Sequence, residues 1–194
     1  MFLISLFNKD VTLNAVLYIT EKAGGKADMH KIFKTLYFAD REHLCKYGRS
    51  ITGDFYRALQ YGPVPSNTSD IFRAIRGDSF FAYASAPLQG YFHFVNKYII
   101  APDKKCDKDY LSDTDIECLD FGINICKDLS LSELTELSHG LAWQNTAYDK
   151  EMSVGDILRE NGDTDEYAEY ISGKLRAENA FLCGTMMPYI TWQS

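Results

Sequence analysis

The sequence predicts an α+β fold: a predominantly α-helical single domain with a small central antiparallel β element. Three observations predict it. Apolar residues recur at helical spacing near both ends of the chain, serine–acid capping pairs open segments in the second half, and a stretch rich in rings, Gly and Pro lies between. Residues 10–23 place Val11, Leu13, Val16, Leu17 and Ile19 near helical spacing, and Gly24-Gly25 ends the run. Asp28 fits an N-cap for a second helix over about 29–46, with a stripe of Met29, Ile32, Phe33, Leu36, Tyr37 and Leu44 closed by Gly48.

The middle changes texture. Residues 50–61 alternate loosely around Phe55, Tyr56, Ala58, Leu59 and Tyr61, and Gly62-Pro63-Val64-Pro65 forces extended backbone. Ser66 or Asn67 is placed to cap a third helix over 68–76, stopped by Gly77. Residues 80–84 and 91–100 read as short ring-rich strands around a turn at Pro87–Gly90. Ser112 with Asp115 and Ser130 with Glu133 then open helices to about Lys127 and His139. A short piece follows around Trp143–Tyr148, Ser153 and Asp156 begin an amphipathic stretch, and Thr164 precedes a longer one to Ala180. The domain is expected over residues 1–180. Residues 181–194 form an apolar, uncharged tail that docks either on its own domain or on another chain, which makes it a candidate for homo-oligomer contact.

Composition narrows the function. A chain of 194 residues buries about 70% of the surface it exposes when unfolded, enough to fold without a metal or disulfide. The formal net charge of −7 opposes nucleic-acid binding, which draws most of its affinity from concentrated Lys and Arg. It suits a basic partner better. Five cysteines, Cys45, Cys106, Cys118, Cys126 and Cys183, are odd in number and contain no C-x-x-C pair, so they are expected as reduced, buried small hydrophobes. No basic leader precedes the apolar start, and no stretch approaches the ~20 apolar residues of a membrane span. A cytoplasmic location is expected.

The chemical inventory is thin, with no phosphate-binding glycine loop, no H-E-x-x-H and no G-x-S-x-G. No cofactor is expected and no metal. Asp40 and His43 are three apart and share a helix face, either as an acid–base pair or as a hydrogen-bonded pair on the helix surface. His139 and Trp143 are four apart, as ring packing or as partner contact. The rigid Tyr61–Pro65 turn either joins strand to helix or presents Tyr61 and Val64 to a ligand.

Several of these residues fall in a recognisable order. Lys31–Asp40 resembles the K-[LI]-x-K-L-[LV]-Y-[FY]-x-[DQ] opening of the Panacea, or SocA-like, antitoxin domain family, with Thr35 in place of its first Leu. His43-Leu44 with Tyr47-Gly48-Arg49, then Ile51–Asp54, resemble the next two steps. Ala58–Pro65 is similar to the A-x-x-x-G-P-V-P core, and Leu137-Ser138-His139 with Ala142-Trp143 to the L-S-H…A-W signature. The resemblance spans about residues 10–150.

It implies a non-enzymatic, cytoplasmic, phage- or prophage-associated protein that neutralises a toxin, encoded beside it, by direct complex formation. It also implies an alternative, an adaptor that hands a partner to an AAA+ protease. An orphan regulatory protein is a further alternative. Carried over as partner-binding candidates are Tyr37, Asp40, His43, Tyr61, Gly62, Pro63, Val64, His139 and Trp143. For Gly62 and Pro63 a backbone-shaping role is favoured. An enzyme built on Asp40, His43 and His139 requires those three to converge on a pocket, and a DNA-binding regulator requires a basic recognition helix that the sequence lacks.

Overall fold

The computed structural model describes residues 7–78 and 90–186, the last five through their backbone alone. Helices dominate, as expected. Helix α1 (Lys9–Lys22) is capped by Asn8, whose side chain accepts from the Val11 N–H. Strand β1 (Ala27–Asp28) leads directly into α2 (Met29–Tyr47), and the Asp28 carboxylate caps α2 by accepting from the His30 N–H at 2.8 Å. Gly48 closes α2 in the left-handed conformation, which glycine adopts without a Cβ penalty. Strands β2 (Tyr56–Leu59) and β3 (Gly62–Pro65) form an antiparallel hairpin. Residues 149–152 run along the free edge of β2, with bonds between Asp149 N and Ala58 O, Ala58 N and Lys150 O, and Met152 N and Tyr56 O.

Helix α3 (Ser66–Arg76) begins two residues before the expected start. Its N-cap position is Pro65, which has no side-chain donor or acceptor. The cap comes from a distance instead: Asp54 accepts from the backbone N–H groups of Asn67 (2.9 Å) and Thr68 (2.8 Å) and from the Thr68 hydroxyl. The single strand expected over 91–100 is two, β4 (Phe92–Phe94) and β5 (Ile99–Pro102). Asn96 breaks the run because its side chain accepts from both the Tyr98 and Ile99 N–H groups, a local turn that outcompetes the ladder. β5 sits between β4 and β1 in a three-stranded antiparallel sheet, so two residues before α2 complete a β element the sequence placed only in the middle. The strand expected over 80–84 and most of the 87–90 turn lie outside the described residues.

A 3₁₀ turn (Lys108–Tyr110) leads to α4 (Asp113–Cys126), then α5 (Leu131–Ser138) and the short α6 (Leu141–Gln144). Both expected capping boxes, Ser112/Asp115 and Ser130/Glu133, are complete. Helix α7 (Val154–Glu160) starts at Ser153, and α8 runs Asp165–Met186, six residues past the break expected at Ala180. Residues 187–194 lie outside the described set, so the docking of the tail does too.

Helix α2 is the centre of the molecule. One face packs with α1, α3 and α4 around Leu17, Ile32, Leu36, Phe72 and Leu119, and another with β2, α5, α7 and α8 around Tyr37, Phe38, Tyr56, Leu134 and Leu158. Nine consecutive residues, Ile32–Asp40, are buried, more than any amphipathic stripe predicts. Cys118 and Cys126 are buried on α4 as expected, Cys45 and Cys106 are only half-buried, and the four described cysteines are free thiols. Among the described residues no helix is long and apolar enough to cross a membrane.

Candidate functional site

The polar residues of α2 reach three different neighbours. Asp40, buried, accepts four hydrogen bonds from one segment: the Ile51 N–H (2.7 Å), the Thr52 N–H (3.1 Å) and hydroxyl (2.6 Å), and the Tyr56 hydroxyl (2.7 Å). Burial pushes its carboxyl up, and these donors oppose the shift. His43 has no exposure. Its Nδ1 lies 2.8 Å from the Arg49 carbonyl and its Nε2 3.1 Å from both the Thr114 hydroxyl and an Asp115 carboxylate oxygen. Burial would raise the Asp115 carboxyl, but the bonds from His43 and Ser112 and the Arg49 charge outweigh it and hold the group well below the usual carboxylate range. The expected surface pair of Asp40 and His43 is thus interior, and each residue ties a different part of the 49–56 loop to α2. Helix spacing alone gives their common face but not that the face is covered.

Tyr37 points elsewhere. Its hydroxyl donates to Glu160 (3.0 Å), which also pairs with Arg41 (2.6 Å) and accepts from the Ala142 N–H (2.9 Å) at the start of α6. Burial and the Glu160 charge raise the Tyr37 phenol well above its ordinary value. Gly140 leaves room for this carboxylate, since a Cβ there would lie 2.4 Å from Glu160 Cδ.

The β2–β3 hairpin rests on α2, α5 and α6. Its two-residue tip is Gln60-Tyr61, and Gly62 follows at φ +92°. Tip residues at negative φ followed by a left-handed glycine form the bulged hairpin turn. Gly62 is required for a second reason: a Cβ there would lie 2.4 Å from the Ser138 hydroxyl and 2.7 Å from Lys34 Nζ. Lys34 donates to the Pro63 carbonyl at 2.9 Å, and Trp143 Nε1 donates to the Leu59 carbonyl at 2.9 Å, so both sides of the tip are pinned. His139 stacks on Trp143 with ring centroids 3.6 Å apart and 10° between planes. Burial, then the Lys34 charge, lowers the His139 pKa, and its Nε2 is buried without a hydrogen-bond partner. Lys34 itself is only 4% exposed, and burial pulls its amine down to about 7.

Above this base Tyr61 is 62% exposed. Leu137 (49%) and Leu141 (41%), on either side of His139 in the chain, also keep much of their surface in solvent. Gly62, Pro63, Ser138, His139 and Trp143 are brought together at this corner. Val64 is half-buried on β3, packed against the core that α2 shares with α1, α3 and α4.

A model of the SocA-like antitoxin family, Panacea domain, matches residues 32–144, more than half of the chain. The chain belongs to this family. No curated protein and no solved structure matches the chain significantly.

The Panacea segment begins inside the first turn of α2, takes in the hairpin, α3, β4, β5, α4 and α5, and ends at the last residue of α6. Of the nine residues singled out from the sequence, Tyr37, Asp40 and His43 are interior, Gly62 and Pro63 are buried in the hairpin, and Tyr61 is the most exposed. Asp40, His43 and His139 do not converge, because each bonds or stacks with its own set of partners. Sequence reading missed Lys34, Asp54 and Glu160 as organising residues. Lys34 and Asp54 stand in the quoted motifs, where a charged residue amid apolar ones was the available signal. Glu160 lies beyond the Panacea segment, and nothing local marks it.

Proposed function

We propose that this Panacea domain is an antitoxin that acts by binding and not by catalysis: it neutralises a cognate protein toxin, encoded beside it, by covering the toxin's working surface. The observation that carries this reading is the Tyr61 corner. Buried and half-buried residues of the family motifs, Lys34 and Trp143 among them, hold the backbone of a hairpin tip whose one aromatic side chain is exposed. The backbone that carries this exposed ring is held on both sides, which suits a ring that meets a partner. Rigid presentation lowers the entropy lost on docking, and Tyr and Trp are enriched among residues that dominate interface energy. Leu137 and Leu141 supply apolar area beside it, and the acidic chain favours encounter with a basic toxin.

The test is co-expression with the neighbouring open reading frame, following growth, with a pull-down from the same cells. Toxicity relieved together with a stable complex supports the reading. A toxic neighbour that is neither bound nor silenced contradicts it.

A further inference from the structure

A concave feature lies apart from the Tyr61 corner and shares none of its residues. A groove of about 900 Å³ runs between α2, the 49–55 loop, residues 109–112, residues 151–157 and residues 175–180 of α8. Its volume is in the range that holds several side chains of a ligand. The walls are apolar and half-buried at Phe55, Val154 and Leu175, and Met152 is buried beneath them. Six carboxylates and three guanidinium groups line it. Two of the three guanidinium groups are already committed, Arg41 to Glu160 and Arg49 to Asp115. By contrast Asp109 and Glu151, both exposed on the rim, take part in no ion pair among the described residues. Arg176, exposed on α8, is the one lining guanidinium without an ion pair among the described residues, so the groove combines an apolar floor with a rim on which exposed carboxylates outnumber free cations.

We infer that this groove is a second docking site, for a short segment of a partner protein whose apolar side chains are flanked by Lys or Arg. The inference rests on the reading of the chain as a protein-binding module, but not on the Tyr61 corner. The protein's own residues 181–194 are apolar and carry no charge, so they match the floor and not the rim.

The test needs no toxin, so its failure is distinct from failure of the neutralisation test. Two fluorescein-labelled peptides of about twelve residues, one of Leu and Lys and one of Leu and Glu, are titrated with the full chain at physiological salt. The Lys peptide is expected to bind about tenfold more tightly or better, and joint Asp109→Lys and Glu151→Lys substitution to weaken it by about the same factor. Tyr61→Ala is expected to leave it unchanged. Both rim side chains are solvent-exposed, so the double variant folds, and methyl resonances of Met152, Val154 and Leu175 report the site directly. Equal affinity for the two peptides, unmoved methyls, or loss on Tyr61→Ala instead of the rim substitutions would overturn the inference. So would a tenfold gain in affinity on removing residues 187–194, which would make the tail the occupant.

Discussion

Lys34 and Asp40 are both buried on α2, and the protein treats the two charges differently. Asp40 has four donors around it, whereas the amine of Lys34 has one acceptor, the Pro63 carbonyl, and no carboxylate. Removing the Asp40 side chain orphans two backbone N–H groups and two hydroxyls. Asp40→Ala is expected to cost about 3 kcal/mol or more, measured by urea unfolding. Lys34 gives a pH signature. Its folded pKa, near 7, lies below the ordinary lysine value of 10.5, so above pH 7 the unfolded chain holds a proton that the folded protein has released. Stability must then rise with pH through that window, by up to ~1.4 kcal/mol per pH unit. Among the described residues, the titratable groups that interact with Lys34 are Cys126 and His139. The difference in unfolding free energy between the wild type and Lys34→Met, taken at pH 7 and 8.5, isolates this contribution. A difference that does not grow with pH contradicts it.

Among elements, α2 and α4 approach each other closely. Gly122 of α4 lies against α2, where an added Cβ would sit 2.6 Å from the Thr35 carbonyl oxygen and 3.2 Å from Ala39 Cβ. The obstacle is backbone, so the helices must separate. Gly122→Ala is expected to destabilise by about 2–3 kcal/mol despite its better helix propensity, read as a lowered unfolding midpoint. Such packing explains which elements were legible. The helices over 10–23, 29–46 and 112–127 and both capping boxes follow from local patterns, because caps and periodicity are local chemistry. The start of α3 was not legible, since its cap is Asp54, thirteen and fourteen residues upstream of the groups it holds. Nor was the splitting of the 91–100 run, where one Asn side chain overrides strand propensity.

The candidate site was legible as a set of residues and not as an arrangement. The motifs named Asp40, His43, Gly62, Pro63, His139 and Trp143, but in one dimension a residue that braces a surface looks the same as one that forms it. Only the third dimension separates interior Tyr37, Asp40 and His43 from exposed Tyr61. Trp143 tests the bracing role between these levels. Trp143→Phe keeps a ring against His139 but loses the bond to the Leu59 carbonyl, and should cost about 1 kcal/mol in thermal or urea unfolding.

At the scale of the whole molecule, the account is of an acidic, helix-dominated domain in which one central helix holds a hairpin loop and its tip in place, so that an exposed aromatic is offered with little freedom to lose. The claim most open to measurement is that Tyr61 belongs to the binding surface and not to the fold. Its side chain is 62% exposed, so truncation removes little buried area. The measurement is the affinity of Tyr61→Ala for the toxin proposed to be encoded beside it, by calorimetry, alongside its urea midpoint. The account predicts an unchanged midpoint with the complex weakened about tenfold or more and growth rescue lost accordingly. Wild-type affinity and full rescue in a normally folded Tyr61→Ala variant would contradict it.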